Sequence, residues 1–157
     1  MDPYLGNMLD FYDNLNHINS YVLENPKFLC IGNEKGLCCE YLKEYHLEDF
    51  IGSSIVTLPD EQVNYLDPKF YQPFLDENGQ FNLVFLSCLN KERVLDLITN
   101  IIKQITPEVI IIDRYKEKLI FDSIYQSSDL FTKYNYILEI VNSQYVLVRR
   151  DCYSKKV

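Results

Sequence analysis

The chain has 157 residues, of which 47% are hydrophobic, so a disordered protein is excluded and one domain with a single core is expected over residues 1–157. Its formal net charge of −8 argues against nonspecific binding to nucleic-acid backbones, which needs clustered Lys and Arg. No apolar run approaches the roughly 20 residues of a membrane span, and residues 1–25 lack the apolar core of a signal peptide. We therefore expect a cytoplasmic protein that binds neither nucleic acid nor membrane. The candidates for a local basic patch are Lys116, Lys118, Arg149 and Arg150.

Cysteine and histidine usage predicts no metal site. The five cysteines are an odd number without a CxxC pair, and three of them fall in strand or helix patterns, so reduced thiols are expected. His17 and His46 are the only histidines, and no spacing joins them to cysteines or carboxylates as metal ligands.

The first part of the chain predicts a helix, a strand, a helix and a strand in that order. Apolar residues recur at roughly helical spacing until Pro26 ends the pattern, so residues 1–26 are expected to form an N-terminal helical extension. The first strand is expected over residues 27–31, its helix over 36–45, and a second strand within 50–58.

Residues 59–80 are the least regular part of the chain. They contain three prolines and a turn pattern over residues 76–79. Residues 63–66 are the candidate for a short third strand.

The second half has clearer patterns. The apolar run over residues 81–87 predicts a buried strand of the kind found in parallel sheets. A helix is expected to begin at Asn90 or a neighbour, because apolar residues form one continuous helical stripe over 94–105. Another buried strand is predicted over 108–112 and another helix over 118–133.

The C-terminal region predicts a β-hairpin, since two alternating runs over residues 136–141 and 144–149 flank Asn142 and Ser143, a plausible two-residue turn. Strands that alternate with helices indicate a parallel sheet with crossover helices. We therefore predict an α/β three-layer sandwich with a mostly parallel central sheet and a C-terminal antiparallel hairpin.

The most informative segment covers residues 28–37. A short apolar run ends in Gly32 and Gly36, and a helical pattern follows at once. Such a strand–turn–helix unit lets backbone N–H groups and a helix N-terminus face a ligand at the carboxyl end of the strand. Gly32 is expected to permit a turn geometry closed to other residues, and Gly36 a close approach of the helix to the sheet.

Residues 30–36 resemble the first motif of class I S-adenosylmethionine (SAM)-dependent methyltransferases, which usually reads Asp-Ile-Gly-Cys-Gly-Thr-Gly. Gly32 and Gly36 match two of its three glycines, whereas the middle glycine is replaced by Glu34 and the acidic residue at the strand end by Cys30. The antiparallel hairpin at the end of the chain is also typical of this family.

Two further segments resemble the approaches to the family's fourth and fifth strands. Residues 73–84 look like its Pro-Phe, acidic turn and Phe-Asp-Leu-Val pattern, and residues 107–114 like its Pro-rich approach. The resemblance covers roughly residues 27–150. Because the segment between the second and fourth strands is shorter than usual, the helix between strands two and three is expected to be missing.

The resemblance implies SAM as the cofactor. The residues it implies in cofactor binding are Cys30, Gly32, Asn33, Glu34, Gly36, Asp67 and Ser87. Asp67 stands where the family often has an acid that accepts a hydrogen bond from the adenine amino group, although Asp-Pro is also an ordinary turn starter. No carboxylate occupies the ribose-binding position of strand two, so Asp60 or Glu61 either substitutes from the following loop or is a solvated loop acid.

The candidate catalytic residues are Cys88, Asn90 and Asp113, which follow strands where the family places groups that face the methyl donor or line the pocket. The alternatives are a small buried residue for Cys88, a helix N-cap for Asn90 and a surface ion pair for Asp113 with Arg114. The family's Asn/Asp-Pro-Pro-Tyr/Phe motif and the histidine base of many O-methyltransferases are missing. Methyl transfer from a sulfonium mainly requires that donor and acceptor be aligned, so activity is still compatible with this sequence.

Three functions are therefore open. The first is a small SAM-dependent methyltransferase that acts on a small-molecule or protein acceptor. The second is a catalytically inactive methyltransferase-like domain that acts as a binding or regulatory subunit, which Glu34 favours. The third, a nucleotide- or NAD-binding Rossmann domain, is disfavoured by the terminal hairpin.

Overall fold

The computed structural model describes residues 27–32, 55–87, 93–112, 124–141 and 144–154. In these residues six strands form one sheet of order β2-β1-β3-β4-β6-β5. The strands are β1 (Phe28–Gly32), β2 (Ile55–Pro59), β3 (Leu83–Ser87), β4 (Val109–Ile112), β5 (Tyr136–Val141) and β6 (Gln144–Arg149). The helices are a 3-10 turn at Asp60–Gln62, α1 (Gln72–Asn78), α2 (Val94–Gln104), α3 (Ser128–Lys133) and α4 (Arg150–Ser154).

The pairing of the strands confirms the predicted fold class. β2, β1, β3 and β4 are parallel neighbours, whereas β6 lies antiparallel to β4 and β5 antiparallel to β6. The two hairpin strands have the predicted bounds, and the expected turn at Asn142 and Ser143 lies outside the described residues. Within the described ranges, no helix is both long and apolar enough to cross a membrane.

The central strands are apolar on both faces, which explains why their sequences run without polar alternation. One face carries Leu29, Ile31, Val84, Leu86, Ile110 and Ile112, and all of these belong to a single core cluster. The other face carries Phe28, Cys30, Leu83, Phe85, Val109 and Ile111, each at most 2% exposed. Burial on both faces is what a sheet in the middle of three layers requires.

Helix α2 packs its predicted apolar stripe into the core. Its buried residues are Val94, Leu97, Ile98, Ile101 and Ile102, and Ile105 continues the stripe beyond the last turn. Each such side chain contributes on the order of 1.5–3 kcal/mol when it leaves water. The helix begins at Val94, and Asn90 lies outside the described residues.

The predicted third strand is wrong. After the 3-10 turn, residues 63 and 64 have no regular secondary structure and residues 65 and 66 form a turn. The Leu66 N–H donates to Asn64 Oδ1 at 2.9 Å. A side chain that satisfies the backbone locally competes with strand pairing, and this explains why the short apolar segment does not extend the sheet. Val63 is nevertheless buried in the core.

Helix α1 is an element that the sequence patterns did not predict. Pro73 lies in its first turn, where a missing N–H costs nothing. Gly79, with φ 79°, ends the helix and its N–H donates to Leu75 O at 2.7 Å, so the predicted turn pattern marks the C-terminus of a helix.

Helix α4, which was also not predicted, is held to the sheet through a buried carboxylate. Glu108 is 5% exposed, and Asn82 Nδ2 donates to its Oε1 at 2.8 Å. The Cys152 thiol of α4 donates to Glu108 Oε2 at 3.8 Å. These contacts join α4 to the residues that directly precede β3 and β4, in one polar cluster at the amino ends of these strands.

The expectation of reduced thiols is wrong for Cys30. Its sulfur takes part in a disulfide whose partner lies outside the described residues, whereas Cys152 is a buried free thiol. Sequence patterns assign cysteines to strands or helices but carry no information on which sulfur atoms meet.

Candidate functional site

The strand order creates a switch point between β1 and β3. From β1 the sheet continues through β2 on one side, and from β3 through β4 on the other. In open α/β sheets, ligands bind in the crevice outside the carboxyl ends of the strands at such a point. Gly32 and Ser87, the last residues of β1 and β3, are direct register partners, and Pro59 of β2 lies on the other side of Gly32. Two of the residues implied in cofactor binding are therefore brought together here.

Gly32 matters for the candidate site because it has no side chain, and its backbone conformation is not unusual. It is buried and paired within β1, and of the two described glycines only Gly79 has a positive φ. A Cβ at Gly32 would stand at the carboxyl end of the strand, where ligands approach the backbone in open α/β sheets.

Cys30 lies two residues inside β1, in register with Thr57 and Phe85. It is fully buried and its sulfur is bonded to another sulfur. It therefore lacks both the charge and the exposure of the acidic residue found at the matching position of the family motif.

A cleft of about 570 Å³ opens beside this edge of the sheet. Its described lining residues are Glu61, Gln62, Val63, Asn64, Tyr65, Leu66, Arg93 and Asp96. The 3-10 turn directly follows the carboxyl end of β2, and Arg93 directly precedes α2, which is the helix after β3. Both walls thus come from segments that leave the carboxyl edge, and the volume falls in the range of small-molecule sites.

The walls of this cleft combine an aromatic ring, a cation and carboxylates. The Arg93 guanidinium carbon lies 4.8 Å from the centre of the Tyr65 ring, a cation–π contact. Asn100 Nδ2 donates to Tyr65 O at 3.5 Å, which ties this loop to α2. Leu66 is 93% exposed, so an apolar side chain stands in solvent beside the ring.

Of these residues, only Glu61 was considered from the sequence as a binding residue, whereas residues 63–66 were predicted to form a strand. Tyr65 lies in a turn, and Arg93 and Asp96 lie at the start of a helix, where the sequence patterns indicated no binding role. Sequence reasoning could have identified Arg93 and Asp96, because the first turn of a helix after a parallel strand lies at the same edge of the sheet as the end of that strand.

Tyr71 is buried near this loop, and its hydroxyl has no hydrogen-bond partner among the described residues. Burial raises the pKa of Tyr71 far above its usual value, and the Tyr65 phenol adds to the rise. A buried hydroxyl without a partner costs free energy, so this atom needs an explanation.

The structure places Asp67 away from the switch point. Gln104 Nε2 donates to Asp67 O at 3.2 Å, and Gln104 Oε1 accepts from the Tyr71 N–H at 3.2 Å. Gln104 ends α2, where the chain turns back to enter β4, so Asp67 lies toward the amino edge of the sheet. Its Oδ1 accepts from the Lys69 N–H at 2.9 Å, as in a turn started by Asp-Pro.

The remaining candidates from the sequence cannot be placed. Asn33, Glu34, Gly36, Cys88, Asn90 and Asp113 lie outside the described residues. For Ser87 the backbone register is described and the side chain is not.

The described residues contain no group of three or more His, Cys, Asp or Glu side chains that could hold a metal ion. Comparison with known proteins adds no assignment, because neither a protein-family model nor a curated protein matches the sequence.

Proposed function

We propose that this protein is a small SAM-dependent methyltransferase that binds its cofactor at the carboxyl edge of the sheet and acts on a small-molecule or protein acceptor. The observation that carries the proposal is the strand order 2-1-3-4-6-5 with an antiparallel hairpin at its end, which sets Gly32 beside Ser87 at the switch point. An unspecialised dinucleotide-binding sheet would keep its last strand parallel.

The chemistry of the neighbouring cleft fits the groups of SAM. The Glu61 carboxylate would accept hydrogen bonds from the ribose hydroxyls, the role that no strand-two residue fills. Tyr65 and Leu66 would flank the adenine ring, and Arg93 would attract the carboxylate of the methionine end.

When bound, SAM supplies a methyl group already activated on its sulfonium. The work left to this chain is to hold the cofactor, to exclude water and to align an acceptor with the methyl carbon. A base is needed only for an acceptor that must lose a proton.

An inactive methyltransferase-like domain is the second candidate. It is favoured by Cys30, a buried disulfide sulfur at the position of the family's acidic residue, and by the extra carboxylate of Glu34 in the cofactor motif. Each hydrogen bond lost to a buried ligand group costs on the order of 1–3 kcal/mol, so two such departures weaken the cofactor site considerably.

We propose, together with this function, that the protein is located in the cytoplasm. The disulfide at Cys30 is the observation against it, because cytosolic proteins of mesophiles rarely keep disulfides.

Calorimetric titration of the purified protein with SAM, S-adenosylhomocysteine and NAD tests the proposal. We expect saturable binding of both SAM and S-adenosylhomocysteine and none of NAD. In Gly32→Val, whose fold is checked by circular dichroism, SAM binding should be lost, and Gly32→Ala should give a smaller loss. No binding of SAM at millimolar concentration would refute the proposal, and unchanged affinity in Gly32→Val would move the site away from the switch point.

A further inference from the structure

A second cleft lies at the opposite edge of the sheet. It has a volume of about 460 Å³, and its described lining residues are Thr106, Tyr134, Asn135, Arg149, Arg150 and Asp151. Thr106 lies just before β4, while Arg149 ends the antiparallel β6, so both stand at the amino end of β4. This second cleft is therefore separate from the switch point, and a ligand bound there would not be the cofactor proposed above.

The Arg149 guanidinium is held rigidly in this second cleft. Its Nε and Nη2 donate to the two carboxylate oxygens of Asp151 at 2.6 and 3.1 Å, and its Nη1 donates to Thr106 O at 2.9 Å. The Asp151 carboxylate keeps the pKa of Arg149 above its already high ordinary value, so the group stays charged at every physiological pH.

These three bonds use three of the five N–H donors of an arginine. Among the described residues they leave one N–H on Nη1 and one on Nη2. A planar guanidinium that is fixed in place and keeps an N–H donor on each terminal nitrogen can donate to an oxyanion. Asp151 thus positions Arg149 without using up its donors.

The charges around the second cleft favour an anion, although the whole chain is acidic. Three cations stand at or beside it, since Arg149 and Arg150 line it and Lys103 Nζ lies 5.7 Å from the centre of the Tyr134 ring. The opposing carboxylates are Asp151, in the wall, and the buried Glu108, which already accepts from Asn82 and Cys152. In the part of the chain that the structure describes, these five groups sum to one positive charge.

The backbone of the second cleft is also unusual. Thr106 and Asn135 have φ of 52° and 69°, and they are the non-glycine residues with positive φ in the described part of the chain. Both follow helix C-termini, where such a conformation is common for Asn or Gly but costly for a β-branched Thr. Strained residues of this kind concentrate at functional sites.

We propose that this second cleft binds a small molecule through a phosphate or carboxylate group, with Arg149 as the main contact and Arg150 as an auxiliary cation. Its volume suits a small molecule rather than a macromolecular surface. The contrary interpretation is that Arg149 only bridges β6 to the C-terminus of α2.

Titration of the 15N-labelled protein with inorganic phosphate or with acetate, followed by amide chemical shifts, distinguishes the two. We expect saturable shifts at Thr106, Asn135 and Arg149. The anion that binds with the higher affinity, phosphate or acetate, identifies the chemical group of the ligand. In Arg149→Lys, which keeps the charge but loses the planar fork, phosphate affinity should fall about tenfold.

Arg150→Gln leaves the bonds of Arg149 in place and should weaken binding about threefold. The matched control is Lys69→Gln, which removes one positive charge from an exposed side chain outside the second cleft and should leave the affinity unchanged. Shifts that never saturate, or that weaken equally in Lys69→Gln, would overturn the proposal. If Arg149→Lys is unstable, the comparison of Arg150→Gln with Lys69→Gln decides alone.

Discussion

Gly32 and Ser87 are neighbours across two parallel strands, and each is the last residue of its strand. The sequence separates them by 55 positions, yet the register of β1 with β3 sets their backbones side by side at the point where the strand order reverses. Any ligand that binds outside this edge meets both strand ends, so substitutions near it report directly on the proposed cofactor site.

Glu34→Gly restores the middle glycine of the family motif, and we expect it to tighten SAM binding. The replacement removes bulk and a negative charge from a turn that should face the carboxylate of the methionine end. Calorimetry on Glu34→Gln, which removes the charge but keeps the bulk, separates the two effects. If the wild type binds SAM at micromolar levels and neither variant has a higher affinity, Glu34 does not weaken the cofactor site. That result favours the active enzyme over the inactive domain.

Glu61→Gln and Asp67→Asn make the same chemical change at two ends of the segment that follows β2. We expect Glu61→Gln to weaken SAM binding by about tenfold, as for a lost charged hydrogen bond of about 1.5 kcal/mol. Asp67→Asn should leave the affinity within about twofold, since the Asn side chain keeps an oxygen for the Lys69 N–H. The reverse result in the titration would place the adenine beside Asp67 instead.

Two buried tyrosines should respond oppositely to loss of the hydroxyl. The Tyr136 hydroxyl donates to Pro107 O, so Tyr136→Phe leaves a buried carbonyl unpaired and should cost about 1–2 kcal/mol in the free energy of unfolding. The Tyr71 hydroxyl has no partner in the described residues, so Tyr71→Phe should be neutral or slightly stabilising. Urea unfolding of the pair provides the comparison, and a large loss in Tyr71→Phe would reveal a partner such as a bound water.

Alkaline pH should destabilise the fold through the same two residues. Burial raises the pKa of both Tyr71 and Tyr136 above the ordinary value near 10. For Tyr136 the Arg149 charge opposes this rise, whereas Cys152, Asp151 and Glu108 add to it. The unfolded chain then loses these protons before the folded one, so stability is complete below about pH 10 and falls as pH rises further.

Urea midpoints measured at intervals above pH 9 should therefore decline, with a shallower slope in the Tyr71→Phe, Tyr136→Phe double variant. Absorbance at 295 nm should show at least two of the 13 tyrosines ionising only as the protein unfolds. A slope identical in both proteins would attribute the loss to other groups.

Local sequence patterns predicted the helices and strands in which buried side chains recur at regular spacing. The stripe from Val94 to Ile105 predicted α2, and the alternation over residues 136–149 predicted the bounds of β5 and β6. The order of strands and helices, together with this hairpin, was enough for the fold class. Such inferences succeed because side chains three to four residues apart on a helix, or two apart on a strand, share one environment.

Only the tertiary structure decided which side chains meet. Residues 63–66 do not pair as a strand because the Asn64 side chain satisfies the backbone locally. Asp67 lies toward the amino edge because Gln104, 37 positions away, holds its carbonyl. The contact of Tyr65 with Arg93 and the anchoring of Arg149 by Thr106 likewise join distant segments. Periodicity reports whether a position is buried, whereas these contacts depend on the packing of whole elements against each other, which no local pattern encodes.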